Sequence, residues 1–247
     1  CEKVLSTTGV GSQVNARMEY ESLFALGPLL GIDDPDTLIR ATRLCDELGI
    51  DTISSGVTIA WAMECVERGV LTDEETGGIG LRFGRGEVVL DTLKRIAHRD
   101  GVGDLLAEGT RRAAQFVGQG SEDWAMHVKG LEMPGYEPRS LKTMALGLAV
   151  STRGACHNRS SAYEADFSPE VDRLKADESR GALAMRSEDL QAVLDSLIWC
   201  KFLRKAFGDI YAESAEVYRW VTGYPMTADE LQEVGERINN LKKLFNI

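Results

Sequence analysis

The apolar residues of this chain recur with the pitch of an α-helix almost throughout, and the Val-Ile-Thr alternation that would build a sheet is nearly absent. Asp34-Pro35 opens one expected helix, with Asp as cap and Pro in the first turn. Leu38, Ala41, Cys45 and Leu48 form its inward face, and Gly49 ends it. Further helices are expected at 57–67, 87–99, 104–117, 139–150 and 187–206. The last starts at Thr227, where Thr227 and Glu230 form a capping box ahead of Leu231, Val234, Ile238, Leu241 and Leu244. Ile79-Gly80-Leu81-Arg82-Phe83 is the one short strand candidate. The pattern predicts an all-α fold, a two-lobed helical body with little or no sheet. A change of composition near 120–155 places a soft boundary, giving lobes 1–120 and 121–247. Between 121 and 160, Gly130, Pro134, Gly135, Pro138, Gly147 and Gly154 break the pattern, as in a segment that lines a site.

At 247 residues, with 43% hydrophobic and 27% charged, the chain can bury a sizeable core. Its net charge of -11 argues against a nucleic-acid partner, because no face can gather enough Lys and Arg to neutralise phosphates. No apolar run approaches the ~18 residues of a membrane helix, and no basic start is followed by an apolar stretch. Five cysteines without a disulfide framework fit a reducing cytoplasm. The chain opens on Cys1 and closes straight out of an amphipathic stretch, so it is expected to be an internal piece of a longer polypeptide; a processed chain is the alternative.

Familiar cofactor motifs are missing. There is no Gly-x-Gly-x-x-Gly between strand and helix, no phosphate-binding Gly-Lys-Ser/Thr loop, and no Cys-x-x-Cys. Four other constellations could carry chemistry. Asp46-Glu47-Leu48-Gly49-Ile50-Asp51 spans a helix end and a Gly turn. Its carboxylates could accept from a ring rich in N–H donors while Gly49 lets a ligand approach the backbone; acids around a C-terminal glycine are also common structure. Asp195-Ser196-Leu197-Ile198-Trp199-Cys200, expected inside the 187–206 helix, sets a carboxylate and a thiol a little over one turn apart. Arg153-Gly154-Ala155-Cys156-His157-Asn158-Arg159 gives His157 the most functional surroundings of the three histidines, although a packed imidazole explains it too. Met18-Glu19-Tyr20-Glu21-Ser22 offers an acid for proton transfer, or plain charge at a helix start.

In this order, these segments resemble the aldehyde:ferredoxin oxidoreductase family. Asp46, Gly49 and Asp51 match its Asp-x-x-Gly-Leu-Asp, with Ile50 for Leu. Asp195 and Cys200 match its Asp-x-x-Gly-Leu-Cys, with Ile198-Trp199 in place of Gly-Leu. Glu19-Tyr20-Glu21, Asp51-Thr52-Ile53-Ser54-Ser55-Gly56, the 101–109 stretch, Lys129-Gly130-Leu131-Glu132-Met133-Pro134 and Arg153-Gly154-Ala155-Cys156-His157 also correspond.

The resemblance implies that the chain is the helical domains 2 and 3, with an amino-terminal β domain elsewhere. It implies a tungsten or molybdenum bis-pyranopterin gripped at Asp46, Gly49, Ile50, Asp51, Asp195 and Trp199, with Arg159 as partner of a pterin phosphate. It implies a [4Fe–4S] cluster with Cys1 and Cys200 among its ligands, and Glu21 and His157 as catalytic residues. The implied reaction oxidises an aldehyde to a carboxylate and passes electrons to ferredoxin or another electron-transfer protein. Reduction of an aromatic acyl-CoA by a divergent branch, and a non-catalytic helical binding or assembly subunit, are the alternatives. A homodimer stays open. Arg40 and Arg43 stand where some relatives bind a subunit-bridging metal, so no such bridge is expected.

Overall fold

The computed structural model describes residues 3–9 and 13–246, and Cys1 therefore lies outside the described residues. The chain divides into two compact units, residues 1–135 and 136–247. Both are mostly helical, and among the described residues the sheet is limited to two small antiparallel strand pairs, as the sequence pattern requires.

In the first unit, β1 (Val4–Ser6) pairs with β2 (Asn15–Arg17), with Leu5 opposite Ala16. Then come α1 (Tyr20–Leu26), α2 (Pro35–Leu48), α3 (Thr52–Glu67), α4 (Gly86–His98), α5 (Val102–Leu106) and α6 (Thr110–Val117), and a second hairpin of β3 (His127–Val128) and β4 (Leu131–Glu132). α2 starts and stops where its sequence says. The Asp34 carboxylate accepts from the Asp36 and Thr37 amides, and Gly49 closes the helix at φ 68°. α3 is buried on nearly every side and forms the spine of the unit's core with Leu26, Leu30, Leu81, Val89 and Leu93. Gly56 lets α1 lie directly on it. A Cβ at Gly56 would stand 2.2 Å from the Ala25 carbonyl oxygen, which only glycine avoids. The expected 104–117 helix is two helices, because the chain turns at Gly109 with φ 80°. The 79–83 strand candidate is irregular; Gly77, Gly78 and Gly80 all take positive φ, which breaks an extended run.

The second unit contains α7 (Lys142–Val150), α8 (His157–Ser160), α9 (Tyr163–Asp166), α10 (Ser179–Ser196), α11 (Ile210–Thr222) and α12 (Ala228–Phe245). α12 begins with the expected capping box at Thr227 and Glu230. It packs on α10 at Gly235, where a Cβ would meet the Asp189 carbonyl oxygen at 2.4 Å. α7 is capped from a distance: the buried Asp166 carboxylate accepts from the Thr143 and Met144 amides at 3.0 and 2.8 Å. The long helix sits earlier than expected. It ends at Ser196, so Cys200 lies beyond it, just before a 3-10 turn at Lys201–Lys205. Apolar continuity through Leu197-Ile198-Trp199 hides that end in the sequence.

Candidate functional site

Each unit carries its own set of candidate groups. In the first, α1 and the α2–α3 junction supply them. Glu21 lies in the first turn of α1, is 9% exposed, and holds the Gly135 amide to its Oε2 at 2.9 Å. Burial first, and the nearby Asp51 charge second, push its carboxyl above the ordinary range; the Gly135 amide acts the other way. The neighbouring Tyr20 hydroxyl donates to the Gly135 carbonyl at 2.6 Å, so two successive residues of α1 clamp one backbone unit. Ser22 Oγ meets Thr52 Oγ1 at 3.1 Å, fixing α1 to the start of α3.

The Asp46–Asp51 segment is a helix-ending turn of defined form. The Gly49 amide donates to the Asp46 carbonyl and the Ile50 amide to the Cys45 carbonyl, while Gly49 is left-handed. Asp46 is exposed on the last turn of α2. Asp51 caps α3, its carboxylate accepting from the Ser54 amide at 2.8 Å. Cys45 is buried here, and its thiol is pushed up to about 12 by desolvation and then by Asp46 and Asp51.

The second unit repeats that turn. The Ile198 amide donates to the Asp195 carbonyl and the Trp199 amide to the Leu194 carbonyl, and Ile198 takes φ 60°. Asp195 and Asp46 therefore occupy the same place on their helices, and Cys200 and Asp51 the same place after them. The likeness of the two segments is one of backbone conformation, kept although Ile198 replaces the glycine. Cys200 is exposed. Asp195 is joined by two cations, Arg159 at 2.5 Å and Lys201 at 2.7 Å. Trp199 packs edge-on against Phe207 at 5.1 Å.

His157 opens α8. Its imidazole stacks on Tyr136 with ring centroids 5.4 Å apart. Desolvation, then repulsion from Arg153, lowers it to about 4, so it is neutral at pH 7. A cleft of about 520 Å³ lies beside this loop, lined by Thr152, Arg153, Arg159, Lys242, Phe245 and Asn246. Three cations on one cleft suit an anionic group.

Structure thus joins Arg159 to Asp195, and couples Glu21 to Asp51. It adds residues the sequence reading passed over. Glu132 is buried and accepts from Ser54 Oγ and from the Thr110 amide, both at 2.8 Å, tying the entries of α3 and α6 together. Its signal was the Lys129–Pro134 segment, read only as a match. Lys201, beside Cys200, gave no signal. Among the described residues, no group of three or more His, Cys, Asp or Glu stands close enough to hold a metal ion. Nor is any helix among them long and apolar enough to cross a membrane.

A family model described as aldehyde ferredoxin oxidoreductase, domains 2 and 3, matches residues 1–247. Tungsten-containing aldehyde ferredoxin oxidoreductases of Pyrococcus furiosus and Thermococcus kodakarensis are 37% and 36% identical over 93% of the chain. The chain spans only 38% of the length of each. A WOR-like subunit of an aliphatic sulfonate oxidoreductase from Pyrococcus furiosus is 30% identical over 92% of the chain and 34% of its own length. Among solved structures, the active-site complex BamBC of a benzoyl coenzyme A reductase, in complex with 1,5-dienoyl-CoA, superposes with a TM-score of 0.78. It has 20% identity and covers all of this chain and 43% of that one, which is a likeness of fold.

Proposed function

We propose a function from the premise that this chain belongs to the aldehyde ferredoxin oxidoreductase family, as its domains 2 and 3: it supplies the helical body of a tungsten-pterin oxidoreductase that oxidises an aldehyde to a carboxylate. The observation that carries this reading is the 37% identity to tungsten-containing aldehyde ferredoxin oxidoreductases across both units. The buried, oppositely shifted Glu21 and His157 support it.

The residues present suit the implied group. Two equivalent turns present Asp46 and Asp195, which can accept from the N–H-rich edge of a pterin, with Gly49, Ile50, Asp51 and Trp199 around them. Arg159, on the cationic cleft, suits a pterin phosphate. Cys200 offers an exposed thiol for a [4Fe–4S] cluster, and Cys1 is a second candidate ligand; more thiolates must come from elsewhere. When bound, the metal-pterin supplies the two-electron redox chemistry and the cluster the electron exit.

The chain's own residues would position the substrate and move protons. A neutral His157 donates an N–H to the aldehyde oxygen without adding net charge to the site. Glu21, its proton held more tightly than an ordinary carboxyl's, takes a proton from the attacking water and releases it as the reaction completes. Tyr20 and Gly135 hold Glu21 in place. Tungsten rather than molybdenum and a ferredoxin partner are suggested by the relatives' names, a cytoplasmic setting by the five cysteines without a disulfide framework, and all three belong to this proposal.

The test is metal analysis and turnover of the full-length protein purified without oxygen, with an aldehyde panel, an aromatic acyl-CoA and a viologen dye. Tungsten, iron and aldehyde-dependent dye reduction are expected. Turnover of the acyl-CoA alone would replace the substrate, and absence of tungsten, molybdenum and iron would leave a helical assembly subunit.

A further inference from the structure

The second unit contains a run of contacts that the proposed chemistry does not use. The His157 imidazole lies against Tyr136, centroids 5.4 Å apart and planes at 23°. Tyr136 lies in turn against Tyr163, at 4.6 Å and 22°. The Tyr163 hydroxyl accepts from Arg204 Nη2 at 3.4 Å, and the same guanidinium is paired with Glu164. The Arg204 side chain is 10% exposed and sits in the 3-10 turn directly after Cys200. With two rings already stacked against it, Tyr136 has little π surface left to offer a substrate. Stacked rings restrict one another's rotation, so the imidazole inherits its plane from a neighbour that is itself fixed from behind.

We propose that Tyr136 is a positioning residue: it holds the His157 imidazole in one plane and takes its own orientation from Tyr163 and Arg204. The inference rests on the reading of His157 as the group that meets the substrate oxygen. Burial that keeps this imidazole neutral agrees with a ring covered on one side. Positioning of this kind acts on the reacting geometry, so its loss lowers kcat rather than raising KM.

The experiment uses the full-length enzyme purified without oxygen, with Tyr136→Phe and Tyr136→Leu, each alone and combined with His157→Gln. Benzaldehyde oxidation is followed with benzyl viologen, and carbethoxylation of His157 by diethyl pyrocarbonate is followed by mass spectrometry. Tyr136→Phe keeps the ring and should retain a higher kcat and a slower modification of His157 than Tyr136→Leu. Tyr136→Leu should lower kcat about tenfold with little change in KM, and speed modification of His157 several-fold. Added to His157→Gln, it should lower kcat no further. An unchanged modification rate in Tyr136→Leu, or an equal loss of kcat in the His157→Gln background, would overturn the proposal. If His157→Gln alone leaves kcat intact, the reading of His157 fails, while the modification rates still decide whether Tyr136 holds the ring. Should Tyr136→Leu not fold, Tyr163→Leu removes the support from behind and should raise the modification rate; no rise would count equally against the proposal.

Discussion

Replacing Ile198 by glycine should make the protein more stable. Ile198 is β-branched, yet it holds φ 60° at the turn that ends α10. A left-handed conformation costs an L-residue about 1–2 kcal/mol, because Cβ crowds the following carbonyl. Glycine escapes that cost but loses about 0.5–1 kcal/mol more chain entropy on folding. The side chain is 92% exposed, so its removal forfeits almost no packing. The balance is a gain of about 0.5–1 kcal/mol, or about 1–4 °C in the unfolding midpoint of a domain this size. Urea unfolding of the full-length protein followed by far-UV circular dichroism measures it, with Ile198→Ala as control, since alanine keeps the Cβ that causes the crowding. The equivalent turn gives the converse: Gly49, at φ 68°, should lose about 1 kcal/mol on replacement by alanine. If Ile198→Gly is no more stable than Ile198→Ala, the strain assigned to this turn is not there.

Asp166→Ala should cost about 2–4 kcal/mol by urea unfolding, because it leaves the Thr143 and Met144 amides of α7 uncapped and removes one of the two carboxylates 3.9 Å from the buried Arg180, the other being Asp177; a loss under about 1 kcal/mol would refute the role given to Asp166. Glu21→Gln should raise stability at neutral pH. The folded carboxyl titrates above its unfolded value, so the wild-type side chain disfavours folding once pH exceeds the ordinary carboxyl range, and the difference between variant and wild type should vanish as pH falls below it. A difference that grows toward acid pH would reverse the sign argued for burial. Once iron is stripped by a chelator, iodoacetamide at pH 8 should label Cys200 and spare Cys45 and Cys65, which are buried with thiols raised to about 12 and about 11. Labelling of Cys45 or Cys65 at the rate of Cys200, read by mass spectrometry, would contradict that burial.

What the sequence disclosed was what local chemistry determines. Asp34, Pro35 and Gly49 mark both ends of α2, and Thr227 and Glu230 mark the start of α12, because caps bond within three or four residues. The end of α10 was hidden because the residue in the left-handed place is isoleucine, so nothing in its identity announces a turn. α11 is not among the expected helices, and α1 enters only as an alternative helix start at Met18–Ser22, being seven residues long and needing α3 against it. Among the candidate site residues, Glu21, Asp46, Asp51, Asp195 and His157 are singled out by residue type and order. Tyr136, Lys201 and Glu132 could not be, since their parts depend on partners 21, 6 and 78 residues away.

The Glu132 bond to Ser54 sets a timetable for synthesis. α3 buries ten of its sixteen residues in the finished unit, and its entry is tied to a carboxylate 78 residues downstream. At the ~5–20 residues per second of a ribosome, roughly 4–16 s pass between the appearance of Ser54 and that of Glu132. Through that interval a helix that ends with ten buried residues lacks one of its partners, which leaves apolar surface open to its neighbours. Slowing translation ahead of Glu132 should lower the soluble yield more than slowing it after Glu132. The hairpin that carries Glu132 is a small element, but it ties the entries of two helices made well before it.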